Sequence, residues 1–256
     1  MIVNKPVPNS GLGIDISHWQ ADIDWATVAS VPTAWGPVKW AYAKASTGAT
    51  GRDKRFYQNV NGAHAVGLPI GGYHWAAPNK PAADDAANFI AAMDPVRDKL
   101  TLVPMIDVEQ APEGIYKDPM VFRNWIVELA QHIMAAGYGM PIIYINAYFA
   151  KEHLGNLKLG NLPIWVPQYN HPKGDYTGQE SGPKKLFSTT EDWIIWQFTE
   201  QGKVPGIKGN VDLNVIRPGF FSTIAGKAAA GVGLLVVVAV AGALGWWWWN
   251  KRKRVR

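Results

Sequence analysis

From residue 11 onward, short apolar runs rich in β-branched and aromatic residues alternate with stretches whose apolar positions recur at helical spacing. The runs GLGIDIS (11–17), VKWAYAKA (38–45), LPIGGYHW (68–75), TLVPMID (101–107), MPIIYIN (140–146), LPIWVPQY (162–169), WIIWQFT (193–199) and VDLN (211–214) each predict a strand. Between them, 53–66, 80–93 and 118–136 predict amphipathic helices. In the last of these Val121, Trp125, Leu129 and Ile133 fall on one face at intervals of four, and Gly137 and Gly139 stop the pattern. Strands that are apolar on both faces and separated by helices predict a parallel sheet closed into an α/β barrel. The polar, Gly- and Pro-rich segment 170–192 predicts a surface loop, and no internal repeat is present.

A different pattern begins near the C-terminus. Residues 228–245, AAAGVGLLVVVAVAGALG, carry no charged side chain; Trp246 to Trp249 follow, and then NKRKRVR. As a helix, 228–249 spans ~33 Å at about 1.5 Å per residue, enough for a hydrocarbon core of ~30 Å. Indole rings favour the headgroup region and a cationic cluster favours the cytoplasmic side. A single-pass transmembrane helix over 228–249 with a basic tail at 250–256 is therefore expected, with the lipid bilayer as a partner. Residues 1–13 have no apolar core of the kind a cleavable signal peptide needs. A large N-terminal domain would then have to cross the membrane without one, so the orientation is left open.

Composition narrows the chemistry. Of 25 Lys and Arg, five lie in 251–256, leaving 20 against 20 Asp and Glu, so the body is neutral and nucleic acid is not an expected partner. The chain has no cysteine, which excludes disulfides and thiolate chemistry. No His pair has metal-binding helical spacing, and neither a G-x-S-x-G elbow nor a phosphate loop occurs. No metal or cofactor is expected.

Four acids interrupt or end apolar runs: Asp15, Asp107, Glu109 and Asp212. In an α/β barrel the strand C-terminal ends line the active site. Asp107 and Glu109 lie two residues apart, so an extended backbone turns both to one face with Cα atoms ~7 Å apart at about 3.3 Å per residue. Carboxyls this close should separate in pKa, one keeping its proton while the other ionises. That division suits glycoside cleavage by an acid and an anion, and it also suits assistance by a substrate acetamido group. Aromatic residues, among them Trp19, Tyr73, Trp75, Tyr144, Trp165, Tyr169 and Trp196, mark the same strand ends and suit stacking against sugars.

These residues together resemble the family 25 glycoside hydrolases, the lysozymes or N-acetylmuramidases of bacteria and their phages. GIDISHWQ (13–20) resembles the family's first-strand motif and AKASTG (43–48) its K-A-[ST]-E-G strand. RDKRFYQNVNGAHAVGLPIGGYHWA (52–76) resembles its helix–strand unit, and VPMIDVE its D-x-E strand. PIIYIN resembles the tyrosine-bearing strand, and WQFTEQGKVPGIKGNVDLN (196–214) the closing motif. The resemblance implies a modified (β/α)8 TIM-like barrel over 11–222, after an N-terminal extension at 1–10. It implies cleavage of the β-1,4 bond after N-acetylmuramic acid in the peptidoglycan glycan strand by a monomeric catalytic domain.

On this resemblance Glu109 is the general acid, keeping its proton. Asp107 is the anion that polarises the 2-acetamido group or acts on the intermediate, and Asp15 and Asp212 hold the acidic network. Tyr73, His74, Lys44, Tyr144, Trp165, Tyr169 and Trp196 are the expected substrate contacts. Two positions depart from the family pattern: Thr47 replaces a usual glutamate, and Pro167 a common alanine. Neither touches the four acids, so altered groove contacts are expected and not loss of activity. A family 18 chitinase would need Asp at 102 and 105, where the chain has Leu102 and Met105. The expected setting is a virion's internal membrane or the host cell membrane. The competing expectation is a catalytically silent wall-binding or virion structural protein on the same fold.

Overall fold

The computed structural model describes residues 11–111, 118–155, 157–169, 183, 193–217 and 220. Its strands are β1 (Leu12–Ile16), β2 (Val38–Thr47), β3 (Gly51–Arg52), β4 (Ile70–Trp75), β5 (Met105–Val108), β6 (Ile142–Ile145), β7 (Ile164–Pro167), β8 (Trp193–Gly202) and β9 (Val211–Ile216). Its α-helices are α1 (Trp25–Ser30), α2 (Phe56–Ala65), α3 (Ala82–Met93), α4 (Pro119–Ala135) and α5 (Ala147–Leu154). The strands follow the order β1-β9-β8-β7-β6-β5-β4-β2, and β2 pairs back with β1 to close a barrel. The short β3 only folds back on the end of β2.

The barrel is not parallel throughout, which corrects the expectation. β9 runs antiparallel to both β8 and β1. The reason is the link: only residues 203–210 separate β8 from β9. A parallel neighbour needs a crossover of roughly a dozen residues or more, whereas an antiparallel one needs only a turn. The reversal puts the start of β9, not its end, at the mouth formed by the C-terminal ends of the other strands.

Two short helices escaped the periodicity. In α5 only Ala150 and Leu154 are buried, too few to make a stripe; Asn146 starts the helix by accepting from the N–H groups of Tyr148 and Phe149. In α1 Asp24 does the same for Thr27, with Trp25 and Val28 buried. The longer helices follow the pattern, and α4 buries Phe122, Trp125, Ile126, Leu129, Ala130 and Ile133; Val121, expected on that face, is exposed in the first turn, where Phe122 takes its place.

Alternation along the strands sorts their side chains into two layers. Ile14, Ile16, Ile106, Val108, Ile143, Ile145, Val166 and Leu213 face outward and pack with Phe56, Val60, Phe89 and the buried stripe of α4. Trp40, Tyr42, Tyr73, Met105, Ile142, Tyr144, Trp165, Ile195 and Ile216 face inward. Trp165 meets Tyr42 edge-on at 5.2 Å and Trp40 at 5.9 Å, so aromatic edges fill the barrel and it is no pore. Two glycines make room for them. A Cβ on Gly13 would lie 2.1 Å from the Trp40 ring, and one on Gly71 2.5 Å from Tyr42.

Among the described residues no helix is long and apolar enough to cross a membrane. The segments 1–10, 228–249 and 250–256, and most of 170–192, lie outside the described residues.

Candidate active site

The inward-facing positions change character toward the mouth, where aromatic residues give way to acids and amides. β1 contributes Asp15 and β9 contributes Asp212, set side by side by the strand register. Across the barrel β5 contributes Asp107, with Glu109 just past its end; Asp107 pairs with Trp75 of β4 and Tyr144 of β6. The four acids expected to converge therefore do share one mouth. Asp212 arrives there by the reversal of β9 and not by a strand C-terminus.

The amides of Gln197 and Asn214 organise the cluster. Gln197 Nε2 donates to Asp15 Oδ2 at 3.0 Å and Asn214 Nδ2 donates to the same oxygen at 2.8 Å. Gln197 Oε1 accepts from the hydroxyls of Tyr144 (2.9 Å) and Tyr169 (2.8 Å). Trp165 Nε1 donates to Asn214 Oδ1 at 3.0 Å, which fixes the Asn214 amide the right way round. The sequence reading missed both amides. Their signal was available: Gln197 and Asn214 are polar residues at inward positions of otherwise apolar strands.

Burial raises every acid of the cluster, because charge in a dry barrel mouth loses its hydration. Asp15 is pushed up by burial, but the Asn214, Gln197 and Asp212 hydrogen bonds pull against that and favour its anion. Asp212 is pushed up to about 9 by burial and then by the neighbouring Asp15. Asp15 is thus the anion of the pair, and Asp212 carries the proton it accepts. Asp107 is raised well above the ordinary carboxylate range by burial and then by Glu109. Glu109, half-buried, is also raised by burial, while a hydrogen bond from Tyr144 opposes the shift.

Both carboxyls therefore hold a proton more firmly than free ones, Asp107 where it points into the barrel and Glu109 where it stands beyond the strand end. Asp107 Oδ1 is buried and has no hydrogen-bond partner among the described residues. Lys44, half-buried over the Trp75 ring at 4.3 Å, is the nearby cation. Burial lowers its pKa, and Asp107, Asp53 and Glu109 oppose that.

The expected substrate contacts divide. Tyr73, Tyr144, Lys44 and Tyr169 reach the mouth, where burial raises all three phenols. His74, Trp165 and Trp196 do not line it. His74 follows Tyr73 on β4 and so faces outward: its ring is fully buried, with Nδ1 2.8 Å from Ser46 Oγ and Nε2 3.0 Å from Asp85 Oδ2 of α3. Trp196 precedes the inward Gln197 and faces outward for the same reason, in the layer with Phe198; its Nε1 donates to the Gln168 carbonyl. Trp165 does point inward but is fully buried beneath the mouth, where it supports Asn214. Thr47 ends β2 opposite Gly51, and Pro167 ends β7 opposite Gln197. Among the described residues no cluster of His, Cys, Asp and Glu could hold a metal ion.

A mouth ringed by buried acids, amides and phenols fits a neutral polyol chain and can both give and take a proton. Comparison with known proteins agrees. The chain is 30% identical over 217 residues to Lysozyme M1 of Streptomyces globisporus, covering 82% of this chain and 69% of that protein. The crystal structure of the bacterial lysozyme from Streptomyces coelicolor superposes with a TM-score of 0.71 at 26% identity, covering 86% of this chain and 99% of that one. A family GH25 lysozyme from Aspergillus fumigatus superposes with a TM-score of 0.66 at 25% identity, covering 84% and 99%. The family model for glycosyl hydrolases family 25 matches residues 14–207, and the chain belongs to that family.

Proposed function

We propose that the protein is a lysozyme that hydrolyses the β-1,4 bond between N-acetylmuramic acid and N-acetylglucosamine in peptidoglycan. The observation that carries this reading is the placement of Asp107 and Glu109 in one mouth across from Asp15 and Asp212. Family membership and the lysozymes among its relatives support it.

Glu109 is the general acid, at the outer position where a leaving oxygen can reach it. Asp107, with its unpaired Oδ1, takes the N–H of the substrate's 2-acetamido group. That hydrogen bond favours the Asp107 anion, so the proton the pair holds in the free protein shifts to Glu109 as the sugar arrives. The acetamido oxygen, made more nucleophilic, attacks the anomeric carbon while Glu109 protonates the leaving oxygen. Glu109 then takes a proton from the water that opens the cyclic intermediate. Lys44 and Tyr144 hold the carboxylates in place, and the anionic Asp15 faces the positive charge that develops on the sugar ring.

Glu109→Gln is expected to cut release of reducing ends from purified peptidoglycan by at least ~10²-fold, with circular dichroism unchanged. Full activity in that variant rejects Glu109 as the acid. Mass spectrometry of the wild-type digest is expected to find muramic acid at the new reducing ends. Glucosamine there would make the enzyme a glucosaminidase, and no cleavage at all would favour the silent wall-binding alternative. We propose further that 228–249 tethers this activity to a bilayer, supported by its uncharged apolar run, tryptophans and basic tail.

A further inference from the structure

Trp19 is 80% exposed, and the turn that carries it is braced. It sits on a 3-10 turn, His18–Gln20, directly after β1. Ser17 caps the turn through its hydroxyl, and the Gln20 side chain accepts from the Ser17 N–H at 2.8 Å. Gln20 Nε2 also donates to the Asn210 carbonyl at 3.1 Å, tying the turn to the β8–β9 hairpin. The His18 ring packs on the indole at 4.7 Å and is itself pinned by Asp53, with Nδ1 2.8 Å from Oδ2. Ala21, which ends the turn, has φ 51°, the one non-glycine residue at positive φ among the described residues. The indole thus stands on a braced turn, packs one side on a pinned histidine and leaves the rest of its apolar surface to solvent.

Between this indole and the hairpin lies a depression of ≈ 450 Å³, lined by Trp19, Glu200, Lys208, Asn210 and, at its inner end, Asp212. Asp212 belongs to the acid cluster as well, so the depression adjoins the mouth. It lies on the β1–β9 side, across the barrel from Asp107 and Glu109. The ring offers an apolar face, and Glu200 and Lys208 offer an acceptor and a donor. This combination suits a pyranose with hydroxyl and acetamido groups.

Building on the lysozyme reading, we propose that the Trp19 depression is a further sugar subsite that binds an N-acetylhexosamine of the same glycan strand, beyond the residues flanking the cleaved bond. The enzyme then grips long strands better than short ones. The test is calorimetric binding in the Glu109→Gln background, with soluble peptidoglycan disaccharide and tetrasaccharide as probes. Trp19→Ala is expected to weaken the tetrasaccharide about tenfold, the scale of one well-stacked ring, and the disaccharide less than twofold. Trp19→Tyr is expected to recover most of the difference. Equal weakening at both lengths, or none at either, overturns the inference. So does a loss confined to oligomers that carry stem peptides, which would assign the depression to peptide. Wild-type protein that cleaves no glycan overturns the lysozyme reading and this inference with it. Wild-type protein that cleaves normally while Trp19→Ala binds like its parent overturns the inference alone.

Discussion

At the residue scale, the active mouth is a problem of too many acids in too little water. Asp212 is moved from 3.8 to about 9, first by burial and then by the neighbouring Asp15. An unfolded chain would ionise this group near pH 4, but the folded protein keeps it neutral until about pH 9. Its contribution to stability is therefore whole below about pH 4 and is lost progressively as pH rises toward 9. Asp212→Asn keeps a donor toward Asp15 and removes that titration. Its melting temperature is expected to exceed the parent's at pH 8 and to match it near pH 4; a gap that does not depend on pH would contradict the assignment. Gln197 presents a second case. The Tyr144 hydroxyl has one proton and two acceptors in reach, Gln197 Oε1 and Glu109. Because Tyr169 also donates to Gln197, Tyr144 can turn its proton to Glu109 when the carboxylate forms. Gln197→Leu breaks this arrangement and strips a donor from Asp15. We expect kcat to fall by ~10² with KM little changed, since the loss falls on groups that act in the transition state. A change in KM alone would place Gln197 in substrate binding.

At the element scale, much of the barrel was legible because each strand is a short apolar run bounded by turn residues. What escaped had physical reasons. α5 buries only Ala150 and Leu154, so it left no stripe to read, although Asn146 and Gly155 frame it. The direction of β9 is invisible in VDLN itself and becomes readable only from the short 203–210 link. Two misplaced site residues, His74 and Trp196, share one cause, the two-residue period of a strand, while Trp165 has the inward parity but lies too deep. Tyr73 and His74 cannot both face the mouth, nor can Trp196 and Gln197, and the inward member of each pair is settled by its neighbours in the barrel. The carboxylates fared better, since Asp107 and Glu109 have the same parity. His74 instead joins β4 to α3 through Asp85 and stacks on Phe89 at 5.3 Å. His74→Ala leaves Asp85 buried without that partner. We expect about 3 kcal/mol or more of lost stability in urea unfolding, with KM of the remaining folded enzyme changed less than twofold. A variant of unchanged stability but much raised KM would return His74 to the substrate contacts.

At the scale of the whole molecule, the proposed tether can be tested without reference to catalysis. Protein of residues 1–256 expressed with membranes is expected to stay in the pellet after alkaline carbonate extraction, while a chain ending at 226 is released. Full-length protein found in the supernatant refutes the tether. The reversal of β9 adds a geometric consequence. Asp212 begins that strand among the acids of the mouth, and Ile216 ends it beside Ile195, at the floor of the barrel. Arg217 N–H still bonds the Ile194 carbonyl there, and Phe220 packs against the inner cluster that closes the floor. The chain therefore departs from the pole opposite the groove. Whatever follows residue 220 is thus joined to the barrel at its floor, and the mouth is left free of that point of attachment.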